Sequence, residues 1–160
     1  MHPEELMSQL EVGDRAPAFT LLDQSGSKVK LSDFKGKPVV LYFYPKADTP
    51  GCTTQSCEVR DHRKDLAKLG AVVFGISPDA PAKQAKFDAK YQLGFPLLAD
   101  EDHAVAEKYG TWAEKSMYGR KYMGIVRSAF VIDAHGKVAG AFYKVSPKDT
   151  VPRVSEILAG

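Results

Sequence analysis

Cysteine is scarce in this chain, with only Cys52 and Cys57 among 160 residues. Two thiols are too few for the disulfide scaffold of a small secreted domain; in a reducing compartment such a pair is more often redox-active than structural. Histidine is almost as rare, and His2, His62, His103 and His135 show no ligand spacing. A cysteine pair with four residues between its members does not supply a zinc knuckle's usual partners, so no metal is expected. Charge of one sign is lacking too: the net charge is +2 and the basic residues are scattered rather than striped, which argues against a nucleic acid or an anionic membrane as partner. No apolar run approaches the roughly 20 residues of a membrane span. The start, Met1-His2-Pro3-Glu4-Glu5, has neither the basic nor the apolar region of a secretory signal. A cytoplasmic location is the expectation. Internal repeats, low-complexity tracts and Gly/Ser-rich linkers are also missing, so residues 1–160 are read as one domain, with 1–11 as a loose lead-in.

What is present is ordinary core material, 44% hydrophobic residues with 26% charged, distributed in a clear order. Ala18–Leu22, the turn Asp23-Gln24-Ser25-Gly26 and Val29–Leu31 predict an N-terminal hairpin, and Ser32-Asp33 opens a short turn ending at Gly36. The apolar run Val39–Tyr44 predicts a buried strand, followed by a helix that ends near Gly70. Ala71–Ser77 predicts a second buried strand, Ala80–Gln92 a charged helix, Leu97-Leu98 a short strand and His103–Tyr109 a helix. Thr111–Met123 reads as irregular, its Lys115, Arg120 and Lys121 near Tyr118 and Tyr122 as a solvated loop, and Trp112 as core or pocket rim. Ile125–Ile132 and Lys137–Phe142, joined by Asp133-Ala134-His135-Gly136, predict a terminal hairpin. Strand–helix–strand–helix followed by a hairpin implies an α/β fold, with a mixed central sheet flanked by helices.

Both cysteines fall where the strand ending at Tyr44 gives way to a helix. Thr49-Pro50-Gly51 is a turn whose threonine hydroxyl can cap that helix, which puts Cys52 in the first turn. Unpaired backbone N–H groups and the positive end of the helix dipole favour a thiolate there, the nucleophilic form of cysteine.

The order Pro45-x-x-x-Thr49-x-x-Cys52 resembles the active-site motif of the peroxiredoxins, thiol peroxidases built on a thioredoxin-like fold. Thr49-Pro50-Gly51-Cys52-Thr53-Thr54-Gln55-Ser56-Cys57, followed by Arg60-Asp61, is similar to the bacterioferritin comigratory protein or PrxQ branch, as is Gly124–Asp133 with its Arg127. Ala129 departs from that branch's commoner threonine. The resemblance, from about Val12 to about Pro147, implies a cofactor-free enzyme that reduces hydrogen peroxide and organic hydroperoxides. Cys52 would be the nucleophile, oxidised to a sulfenic acid, and Cys57 the resolving thiol. Thr49 would hydrogen-bond the thiolate or peroxide, Pro45 would shield the pocket, N–H groups near Gly51 and Cys52 would bind the peroxide oxygens, and Arg127 would stabilise negative charge. Thioredoxin or a similar dithiol protein is the implied reductant, and a monomer the implied state.

Simple geometry adds a condition. Helical residues five apart have Cα atoms roughly 8 to 9 Å apart and face different ways, whereas a disulfide rarely tolerates more than about 7 Å. A Cys52–Cys57 bond therefore requires the helix start to unwind. The competing classes are a protein disulfide oxidoreductase, which normally carries Cys-x-x-Cys rather than Cys-x-x-x-x-Cys, and a non-enzymatic redox sensor.

Overall fold

The computed structural model describes residues 9–160. In chain order these form β1 (Thr20–Leu22), β2 (Lys28–Lys30), β3 (Val39–Phe43), α1 (Pro50–Asp61), α2 (Arg63–Lys68), β4 (Val72–Ser77), α3 (Pro81–Tyr91), β5 (Leu97–Ala99), α4 (Ala104–Lys108), β6 (Trp112–Met117), β7 (Arg120–Ile125), β8 (Ser128–Ile132), β9 (Val138–Tyr143) and α5 (Thr150–Ala159). Of the expected lead-in, residues 1–8 lie outside the described residues. Residues 9–11 are irregular, yet Leu10 packs on the core and its N–H donates to the Tyr143 hydroxyl at 2.8 Å.

Seven strands form one mixed sheet in the order β2-β1-β5-β4-β3-β8-β9. β3 pairs parallel with β4 and β4 with β5, while β8 runs antiparallel to β3 and β9 antiparallel to β8. All five residues of β3 are buried, as expected of a central strand covered on both faces. Its two-residue period splits the core. Val39, Leu41 and Phe43 join Phe74, Ile76, Tyr109 and Phe130 on one side; Val40 and Tyr42 join Val59, Leu66, Phe87, Val151 and Val154 on the other. The second face carries Cys52 as well. This is the expected thioredoxin-like α/β fold with its N-terminal hairpin, β1–β2, which attaches to the sheet through β5.

Three expectations need correction. Thr111–Met123 is not irregular: β6 and β7 make a separate two-stranded ribbon, paired from Trp112↔Ile125 to Met117↔Arg120. Its turn is Tyr118-Gly119, both at positive φ (52° and 78°), the backbone of a tight two-residue hairpin. An exposed tyrosine standing where asparagine or aspartate usually marks such a turn concealed it. The helix expected to run to Gly70 is interrupted at His62 (φ −106°, ψ 10°), whose ring Nδ1 lies 2.9 Å from the Glu58 carbonyl and competes for an acceptor of the helical ladder. The strand expected at Ile125–Ile132 is also broken. Ile125 ends β7, Ser128 begins β8, and Arg127 lies in the link between them.

Candidate active site

The site is built where β3 ends and α1 begins. Tyr44 is fully buried, and its phenol donates to the Gln84 amide oxygen of α3. Residues 45–49 then turn outward before the helix, with Pro45 and Thr49 half-buried. That turn is pinned at successive residues. The Ala47 N–H donates to the Asp79 carboxylate at 2.7 Å. Asp48, at φ 60°, receives Lys90 Nζ and the Tyr91 hydroxyl of α3, each at 2.8 Å. Its carboxyl is held below the ordinary aspartate value chiefly by the Lys90 hydrogen bond, then by Tyr91.

Thr49 occupies the N-cap position with extended backbone (φ −99°, ψ 156°), and Pro50 follows in the first helical turn. The expected hydroxyl cap is absent. Instead Thr49 Oγ1 donates to the Lys46 carbonyl at 2.7 Å, within the turn that precedes the helix. Donation in that direction leaves the oxygen's lone pairs available as acceptors. The first helical bond runs from Thr53 N–H to the Thr49 carbonyl at 2.8 Å, so helix geometry leaves the N–H groups of Gly51 and Cys52 without intrahelical acceptors.

Cys52 is 1% exposed, and both cysteines are free thiols. Arg127 reaches in from the β7–β8 link: its Nη2 donates to Cys52 Sγ at 3.4 Å and its Nη1 donates to Gln55 Oε1 at 2.7 Å. Sequence separations of 75 and 72 residues are thus closed into one cluster. Gly51 leaves the space for this approach, since a Cβ there would stand 2.9 Å from Arg127 Nη2. Gln55 is fully buried and passes the link onward, its Nε2 donating to Thr150 Oγ1 of α5 at 2.9 Å. Sequence reasoning assigned Gln55 no role. The available signal was its spacing: three residues beyond Cys52, it lies on the same helix face. Beneath the helix, the Tyr42 hydroxyl and Ser56 Oγ are 2.8 Å apart, and burial raises the phenol far above its ordinary value, keeping it neutral.

Cys57 is only half-buried and packs against the same core cluster. α1 is continuous across both cysteines. The structure therefore brings Arg127 to Cys52 and Gly51, keeps Thr49 at the N-cap of the same helix with Pro45 in the turn before it, and leaves Cys57 one and a half turns further along. Among the described residues no group of three or more His, Cys, Asp or Glu could hold a metal ion, and no helix is long and apolar enough to cross a membrane.

Beside this half-buried arginine and helix-start thiol, the sequence and fold as a whole can be set against known proteins. The AhpC/TSA family model covers residues 12–141. The chain belongs to the AhpC/TSA family. Within it, the Bcp peroxiredoxins are the similar branch. The chain is 52% identical over 136 residues to peroxiredoxin Bcp of Escherichia coli, covering 85% of this chain and 87% of that one. It is 46% identical over 149 residues to peroxiredoxin Bcp of Bacillus subtilis, at 93% and 95% coverage. The crystal structure of peroxidoxin BcpB from Mycobacterium tuberculosis superposes with a TM-score of 0.84 at 36% identity, over 94% of this chain and 97% of that chain. This peroxiredoxin is accordingly an enzyme of the thiol peroxidase class.

Proposed function

We propose that the chain reduces hydrogen peroxide and organic hydroperoxides through a cycle carried by Cys52 and Cys57. The supporting observation is the Arg127 guanidinium donating to Cys52 Sγ at 3.4 Å within a buried, helix-start site. The Cys52 thiolate attacks the terminal oxygen of R–O–O–H. An S–O bond forms, the O–O bond breaks, and the electron pair leaves on RO⁻, which takes a proton to become water or an alcohol. Cys52 is left as a sulfenic acid. Arg127 stabilises the thiolate before attack and the developing oxyanion during it. The free N–H groups of Gly51 and Cys52 bind the peroxide oxygens. Thr49, its hydroxyl oriented by the Lys46 carbonyl, accepts the peroxide O–H, and Pro45 screens the pocket from water.

Cys57 then attacks the sulfenic sulfur and expels hydroxide, which leaves as water. The first turns of α1 unwind for this step, since an intact helix holds the two Cα atoms roughly 8 to 9 Å apart. A dithiol protein of the thioredoxin type returns two electrons and two protons to the disulfide. The chain works as one domain and as a monomer, in the cytoplasm, with no cofactor, metal, membrane or nucleic acid.

The test is stopped-flow peroxide consumption with thioredoxin, thioredoxin reductase and NADPH. Wild type turns over, Cys52→Ser is inactive, and Cys57→Ser gives one turnover ending at the sulfenic acid. Wild-type oxidation without turnover would replace the enzymatic cycle by a sensor. Efficient insulin reduction without peroxide consumption would favour the disulfide oxidoreductase.

A further inference from the structure

One cation of the β6–β7 ribbon points inward. Lys115 lies on β6 opposite Tyr122, and its aliphatic stem crosses Gly124, where a Cβ would stand 3.2 Å from Lys115 Cδ. Its Nζ donates to the carbonyl of Ile125 at 2.8 Å, two residues before Arg127. A lysine on an exposed ribbon ordinarily extends its ammonium into water. Lys121 on the partner strand does so, making only an exposed pair with Glu114 at 3.8 Å. Lys115 is half-buried instead, and its ammonium is pushed below its ordinary value by burial first and by Arg127 second, with Cys52 acting in the opposite direction. The two charges it feels are thus the two that meet in the candidate active site.

We propose that Lys115 is a positioning residue of the peroxide-reducing centre: its ammonium, docked on the Ile125 carbonyl, fixes the link carrying Arg127 and adds a second positive charge to the field at Cys52. This rests on the reading of Cys52 as the attacking thiolate. The link is short and clamped at each step. Val126 N–H donates to the Thr111 carbonyl at 2.7 Å, Ser128 Oγ to the Val126 carbonyl at 2.8 Å, and Val145 N–H to the Arg127 carbonyl at 3.0 Å. Lys115 supplies the clamp at Ile125 and is the only one of these donors that is charged. A neutral donor would hold the carbonyl without desolvating an ammonium beside a guanidinium. The arrangement becomes favourable when Cys52 is a thiolate, because one anion then faces two cations. Among the described residues, the Tyr42 phenol, kept neutral by burial, also lies near Cys52, and the Cys57 thiol follows on the same helix.

The experiment uses the full chain with Cys57→Ser, so that Cys52 is the only thiol. Rates of Cys52 oxidation by hydrogen peroxide and the pH profile of its alkylation by iodoacetamide are measured for Lys115, Lys115→Met, Lys115→Gln and Lys115→Arg. Met removes donor and charge, Gln retains a neutral donor, and Arg retains both. The expected result is peroxide oxidation slowed about tenfold in Met and Gln, with the alkylation midpoint moved up by about half to one pH unit. Arg restores both readouts. Midpoints in Met and Gln equal to that of the Lys115 chain, or an Arg variant as impaired as Met, overturn the proposal, because a purely structural clamp would not move the midpoint. Failure of the Lys115 chain itself to form a sulfenic acid with hydrogen peroxide overturns the peroxidase reading and this proposal together.

Discussion

Cys52 and Cys57 stand on one helix, five residues apart, and occupy different chemical environments. Cys52 is buried in the first turn, where N–H groups lack partners and Arg127 donates to its sulfur. Cys57 lies where the helical ladder is complete, half-buried against apolar neighbours. The guanidinium of Arg60, on the same helix, is already engaged by Asp61 at 2.9 Å and by the Tyr91 carbonyl at 2.7 Å. The contrast in environment comes from the position on the helix and from what a distant segment brings to it. The helix end supplies free donors, and the β7–β8 link supplies the charge.

Removing that charge should erase the contrast most completely. Arg127→Ala is expected to slow Cys52 oxidation by hydrogen peroxide about 100-fold or more, the cost typical of losing one preorganised donor to developing negative charge. Alkylation of Cys57, measured in a Cys52→Ser chain, should stay unchanged; equal slowing at both thiols would show that the arginine acts on the whole helix instead. Gln55→Leu should follow. It frees Arg127 from its 2.7 Å acceptor and leaves Thr150 without its donor, so Cys52 oxidation should slow about tenfold and urea unfolding should report a loss of about 1–3 kcal/mol.

Gly51→Ala should separate activity from stability. Its methyl group would crowd Arg127 Nη2 at 2.9 Å, and the end of a long side chain can swing aside without disturbing the backbone. Oxidation should slow by roughly fivefold, while alanine's helix propensity keeps stability level or raises it by up to about 1 kcal/mol. A parallel loss of both would mean that the crowding reaches the backbone. The smallest effect should come from acid. Asp48 titrates below its ordinary value in the folded chain, so its clasp on α3 is fully present above that ordinary value and is lost as the pH falls through the depressed one. Hydrogen exchange at residues 46–49 should rise in that window in wild type, with Asp48→Asn showing the higher exchange at neutral pH as well.

The central elements were legible because their signals are local. Val39–Phe43 is apolar without interruption, and the cysteines follow a Thr-Pro-Gly turn that starts a helix. The β6–β7 ribbon was hidden because neither strand buries a continuous face. Met117, Tyr118, Tyr122 and Met123 remain exposed, so the usual alternation is missing. The position of Thr49 predicts a cap, but its hydroxyl donates back to the Lys46 carbonyl of the preceding turn. Gln55 was overlooked because a glutamine in a polar helix looks like surface until its burial is known.

By itself the sequence determined the order of the central strands and helices, the placing of Cys52 at a helix start and the five-residue gap to Cys57, since periodicity, turn chemistry and helix geometry act between neighbours along the chain. Only the tertiary structure decided that Arg127 meets Cys52, that Gln55 ties Arg127 to Thr150, and that Lys115 turns inward. Those contacts join residues brought together by sheet pairing and core packing, and a side chain's charge acts through space, over a distance that the chain order does not contain.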